Sequence, residues 1–244
     1  MGHIGPALSI ADLIATLYER VLQIFSPEDL ERDRFILSKG HAALALYAAL
    51  YLKGWISQAD LNTYCGNGTL LGVHPECELR GIDFATGSLG QGLSIGVGSA
   101  LAARLQGSAR RTYVLVSDAE CDDGSLWEAV MSAAHFKLAN LVAIVDVNGQ
   151  QALGYTQQVL DLSPLSTRWQ AFGWETHEVD GHNAVEIAET LLSLDFSVGR
   201  PHVLLAHTIS GKGVSFMEGQ IKWHYWPISE KEYLQALAEI GAGA

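Results

Sequence analysis

Four acids, Asp118, Glu120, Asp122 and Asp123, fall within the seven residues "SDAECDD", directly after the apolar run "YVLV". Carboxylates crowded behind an apolar segment repel one another unless a cation, a proton or water offsets them. Asp118 and Asn148 stand 30 residues apart, each following an apolar run. A carboxylate, an amide oxygen and a nearby backbone carbonyl are hard oxygen ligands suited to Mg2+ or Ca2+. Asp118, Asn148 and Gln150 are therefore the candidate cation ligands. Mg2+ seldom has an all-protein cage, and phosphate oxygens with water complete its octahedron, so this set implies a diphosphate cofactor. The two residues alone also have a plainer reading, with Asp118 capping a helix and Asn148 in a turn.

The chain has nine histidines. His3 in "GHIG", His41 in "SKGHA", His74 in "GVHPE" and His224 in "KWHYW" stand in short polar or glycine-bearing contexts. Imidazole near neutral pH both accepts and donates protons. In "GSLGQG", Gly87, Leu89 and Gly90 read as a turn where small residues allow close backbone approach. The same run fits a tight turn into a packed helix. Lys39 and Lys212 are candidate phosphate contacts, with solvated surface lysine as the default for both.

Positioning these residues requires strands and helices. Helical spacing recurs in "SIADLIATLYERVLQIF", "HAALALYAALYLKG", "DGSLWEAVMSAAHFKLAN" and near "AVEIAETLLSL". "RTYVLVSD", "LVAIVDVNG" and "HVLLAHT" read as buried strands. Alternating strands and helices predict a three-layer α/β/α fold with a mostly parallel sheet covered on both faces. Ligands bind beyond the carboxyl ends of such strands, which places Asp118 and Asn148 at the mouth. The 244 residues are expected to form a single domain, 1–244. A net charge of −12 without a basic block argues against a nucleic-acid partner. No apolar stretch reaches the roughly 18 residues of a membrane span. There is no signal pattern, and three cysteines, odd in number and without paired metal spacing, suit a reducing, cytoplasmic location.

The segment from Ser117 to Gln150 resembles the thiamine diphosphate-binding motif, which begins Gly-Asp-Gly and closes on Asn about thirty residues later. "GHIGPALSIAD", "DRFILSKGHAALALYAAL", "GVHPE", "GSLGQGLSIGVGSALA" and "SGKGVSFMEGQIKWH" follow in the order found in the N-terminal half of transketolases. The chain is similar to the N-terminal subunit of a split transketolase. That resemblance implies thiamine diphosphate with Mg2+ (or Ca2+) as cofactors and a second, C-terminal subunit supplying the pyrimidine-binding domain. It also implies a heterotetramer of two plus two and small-molecule sugar substrates. The reaction would move a two-carbon ketol unit from a ketose, expected to be phosphorylated, to an aldehyde. His224 and His74 would meet the C1 hydroxyl and carbonyl region. His3 and His41 would handle protons further along the sugar, with His41 also near the diphosphate. Gly87, Leu89, Gly90, Asp118, Ala119 and Asn148 would contact the cofactor. Asp123 would stand where the family couples its two active sites through a Glu.

Several positions depart from the family. Ser117 and Ala119 replace both motif glycines; the Ala119 methyl is tolerable at negative φ and costly at positive φ. Glu120 and Asp122 have no assigned counterpart and read as solvated loop acids. Ser88 stands for a usual proline, and Tyr225 and Trp226 follow His224 where the family often has Gly. The family has a helix ahead of the His3 motif, so the start is either truncated or a variant without it. Two other readings remain: two-carbon transfer to a carrier-bound or modified-sugar acceptor, and a degenerate, non-catalytic regulatory domain.

Overall fold

The structure, a computed structural model, describes residues 2–242. It opens with two short helices, α1 (Ile4–Ser9) and α2 (Ala11–Thr16), followed by a wider π-type turn at Leu17–Val21. The one long helix expected here is broken at Ile10, whose φ of −107° and ψ of 7° cap the first helix and lead into the second. The break keeps Ile10, Leu13, Ile14 and Leu17 all buried, so tertiary packing outweighs helix continuity.

The chain continues through β1 (Arg34–Leu37), α3 (Ala43–Leu52), α4 (Gln58–Leu61), α5 (Gly92–Leu105), β2 (Thr112–Ser117), α6 (Gly124–His135) and β3 (Leu141–Val147). A small hairpin, β4 (Gln150–Gln151) with β5 (Gly154–Tyr155), then leads to α7 (Thr156–Val159) and α8 (Leu165–Ala171). Last come β6 (Glu175–Asp180), α9 (Ala184–Leu192), β7 (His202–His207) and α10 (Glu230–Ala242).

Five strands form one sheet in the order β1-β2-β3-β7-β6, and every pairing is parallel. Alternate side chains feed two cores. Val114, Val116, Ala143, Val145, Val203 and Leu205 pack with residues of α5, α6 and α8. Tyr113, Leu115, Val142, Ile144, Leu204 and Ala206 pack with α2, α3 and α9. This is the expected three-layer α/β/α arrangement. Covered on both faces, β2 is buried along its whole length, which is why it reads as a continuous apolar run. Asp146 breaks that rule in β3: it is an acid with 0% exposure.

Candidate functional site at the carboxyl edge of the sheet

The strands deliver polar residues to one edge. Ser38 and Lys39 follow β1, Asp118 follows β2, Asn148 follows β3, and Thr208 follows β7. A cleft of about 440 Å3 opens above them. Its walls include His3, His41, His74 and His224, together with Gly87, Leu89, Ala119, Asp123, Asn148 and Gln150. Gly90 is buried behind the wall. Asp118 opens onto an adjoining cavity of about 590 Å3, which shares Asp122 and Asn148 with the cleft.

Three histidines meet from three segments: the residue capping α1, the turn Gly40–Ala42 and the turn Ile221–His224. Their ring centroids lie 5.0 Å (His3–His41), 5.3 Å (His41–His224) and 5.6 Å (His3–His224) apart. His74 packs over Gly87, and the Tyr47 hydroxyl donates to the His74 carbonyl at 2.9 Å. Burial, with Lys39 and the neighbouring imidazoles, pushes His41 down to about 2. Burial, Lys39 and His3 push His224 down to about 4. Burial, His74 and Lys39 lower His3 as well. All three shifts favour the neutral imidazole over the imidazolium.

Lys39 is no surface lysine. It is 1% exposed and ion-paired with Asp146, which also accepts from Ser9, Thr208 and Asn148. Lys212 is a partly exposed partner of Glu218 at 3.6 Å.

Glu120 is not a solvated loop acid either, being 0% exposed. Its carboxylate accepts from Ser38 Oγ at 2.5 Å, Gly90 N at 3.0 Å and Ser117 N at 2.9 Å. One carboxylate thus ties together the end of β1, the glycine turn and the end of β2. Without a counter-ion in contact, burial raises its pKa; the converging donors offset that cost. Gly90 adopts φ +75°, and a Cβ there would lie 2.6 Å from Asp123 Cβ, so only glycine fits this turn. Asp122 is half-buried and accepts from Gln151 Nε2 at 2.9 Å.

Asp118 Oδ1 accepts from Ala119 N at 2.9 Å, capping a short 3-10 turn (Ala119–Asp122), and Oδ2 accepts from Gly149 N at 2.7 Å. That second bond ties Asp118 to the Asn148–Gln150 turn, where Asn148 Oδ1 accepts from Gln150 N at 2.9 Å. Ala119 is absent from the residues with positive φ, so its methyl stands without backbone strain. Burial, then the charge of Asp146, pushes Asp118 up to about 7. A divalent cation would supply the missing counter-charge. Gln150 Oε1, buried without a hydrogen-bond partner among the described residues, is a further hard oxygen in the same turn. The donor set fits a hard cation held with diphosphate oxygens.

The remaining histidines stay structural. His182 bridges Asp12 and Ile209 N, His207 pairs with Glu178, His135 packs on Phe136, and His177 stacks on His202.

A family model described as "Transketolase, thiamine diphosphate binding domain" matches residues 1–243. This chain belongs to the transketolase family. Within it, the chain is 42% identical over 241 residues to an apulose-4-phosphate transketolase subunit from Phocaeicola vulgatus, covering 98% of this chain and 86% of that protein. It is 43% identical over 245 residues to the 6-deoxy-6-sulfo-D-fructose transketolase subunit SqwG of a Clostridium species, covering 98% and 88%. The transketolase of Campylobacter jejuni superposes with a TM-score of 0.87 at 27% identity, over 98% of this chain and 41% of that one. The chain is thus a transketolase-type enzyme chain with a thiamine diphosphate-binding domain. Among the described residues, no helix is long and apolar enough to cross a membrane.

Proposed function

We propose that this chain is the thiamine diphosphate-binding subunit of a two-subunit transketolase, moving a two-carbon ketol unit from a ketose to an aldehyde. The carrying observation is the meeting of a three-imidazole cluster and His74 with the Asp118–Asn148–Gln150 oxygen set at one sheet edge. Thiamine diphosphate, when bound, supplies the carbon nucleophile and electron sink of the transfer. Asp118, Asn148 and Gln150 would hold Mg2+, and Ala119 with the Gly87–Gly90 turn would border the diphosphate. His74 and His224 would exchange protons with the C1 hydroxyl and carbonyl region, and His3 and His41 with hydroxyls further along the chain. Asp123, against the glycine turn, would serve contact between paired active sites.

Residues 1–244 would form one domain, with the pyrimidine-binding and C-terminal domains on a partner chain and two copies of each in the assembly. Leu89, Leu153, Tyr225 and Trp226, all at least 41% exposed, flank the cleft residues and suit coverage by that partner. The names of the two relatives favour a phosphorylated or otherwise modified sugar as donor. The cytoplasm is the proposed location.

The test mixes the chain with the product of the adjacent gene and offers ketose phosphates with aldehyde acceptors. Two-carbon transfer should occur in the mixture and in neither protein alone, and Asp118→Ala should abolish it. Full transfer by the isolated chain would contradict the split-subunit reading. A mixture that binds the cofactor yet transfers nothing would favour a non-catalytic domain.

A further inference from the structure

A buried carboxylate offers two oxygens and about four acceptor directions. At Asp146 four donors occupy them. Lys39 Nζ and Thr208 Oγ1 make short contacts to Oδ2 and Oδ1. Ser9 Oγ donates to Oδ1 at 2.9 Å, and Asn148 Nδ2 donates to Oδ2 at 2.9 Å. Asn148 Nδ2 also donates to Ser9 Oγ at 3.2 Å. With the Nδ2 end of the amide committed to this side, Asn148 Oδ1 is left facing the other, where it accepts from Gln150 N. The next N–H along the turn, from Gly149, goes to Asp118.

The two ends of an asparagine amide are told apart by their partners. Here the reversed amide would set its oxygen against a carboxylate, and against a hydroxyl whose hydrogen is already donated to Asp146. It would also turn two N–H groups toward Asp118 and its surroundings, where a cation needs an oxygen.

We propose that Asp146, anchored by Lys39, is a positioning residue that fixes the Asn148 amide with its oxygen toward the Asp118 turn. Lys39 and Asp146 are 1% and 0% exposed, so removing either one alone leaves the other buried without its ion-pair partner. Ser9 brings α1 to the carboxylate, and Thr208 brings the end of β7. The orientation stands on hydrogen bonds alone, whereas its use for holding a cation rests on the function proposed above.

Two variants test it. Asp146→Asn removes acceptor capacity but strands the Lys39 ammonium. The double variant Lys39→Met/Asp146→Leu removes the pair as a unit, and apolar replacement of a buried ion pair is often neutral or stabilising. The first readout is hydrogen exchange of the Asn148 side-chain amide by 15N NMR in the cofactor-free chain, assigned by its loss in Asn148→Asp. In the wild type it should exchange about tenfold or more slower than the exposed Asn62 amide, the order of protection a committed hydrogen bond gives; both variants should lose this protection. The second readout is calorimetric affinity for Mn2+ with thiamine diphosphate, in the chain mixed with its partner. Both variants should bind about 10- to 100-fold more weakly, as for residues that orient a metal ligand, while the double variant keeps its thermal midpoint. An unprotected wild-type amide, or a folded double variant with wild-type affinity, would overturn the proposal. A protected amide in a wild type that binds no cation would uphold the orientation and sink the cofactor reading instead.

Discussion

At Ala119 one methyl group separates this chain from the motif glycine that the transketolase resemblance implies, and the backbone there carries no strain for it. The residue opens a 3-10 turn at negative φ, where a Cβ brings no backbone strain. Ala119→Gly should therefore leave cofactor affinity within about twofold and lower stability by up to about 1 kcal/mol. Calorimetry and thermal unfolding check both, and a large gain in affinity would mean that the methyl obstructs the diphosphate. Lys39→Met alone strands Asp146 in the core and should cost about 3–5 kcal/mol, measurable by urea unfolding. Asp118, Asn148 and the four motif histidines were legible because their types and contexts point to chemistry without knowledge of their partners. Glu120, Lys39 and Asp146 were not, because their meaning lies in contacts such as Lys39 with Asp146, 107 residues away. One signal was available: an acid inside "LVAIVDVNG", read as a buried strand, demands a counter-charge.

Far from the cleft, β6 and β7 carry a second pair of imidazoles. His177 and His202 stack with ring centroids 6.0 Å apart, and His202 is 2% exposed with neither ring nitrogen hydrogen-bonded among the described residues. Burial lowers the pKa of both; His177 lowers His202 further, while Glu175 and Asp195 oppose this. Phe196 packs edge-on against His202, and the Arg111 guanidinium lies over that phenylalanine ring. A histidine with a depressed folded pKa binds its proton more readily when unfolded. Stability is therefore complete above the unfolded value near 6.5 and falls as pH drops below it, by up to about 1.4 kcal/mol per pH unit per group. His202→Phe should flatten that fall. Urea unfolding of both proteins at pH 7 and pH 5 gives the comparison, and parallel losses would show that His202 is not responsible. At this scale the strands β2, β3 and β7 and helices α3, α6 and α9 were readable from apolar runs and helical spacing. The four-residue β1 was too short to show a period, and the break at Ile10 answers to packing rather than to any local breaker.

Across the whole molecule, sequence spacing predicted a parallel sheet but could not supply the order β1-β2-β3-β7-β6. Placing β7 beside β3 brings Thr208 to Asp146, and so closes the network beneath the cleft. Around the cleft, the 82% exposed Leu153 and 57% exposed Tyr225 leave apolar surface that a partner would cover. Leu153→Asp should weaken association with that partner by about tenfold, roughly 1.4 kcal/mol, without moving the chain's own thermal midpoint. Sedimentation of the mixture reads this directly, and unchanged association would place the partner elsewhere. The proposed function has this edge hold a cation and a diphosphate cofactor in concert with a second chain, and calorimetric titration of Mg2+–thiamine diphosphate into the chain, alone and with its partner, decides it. Binding is expected in the mixture only and is lost in Asp118→Ala; binding that survives that substitution, or none in the mixture, would overturn it.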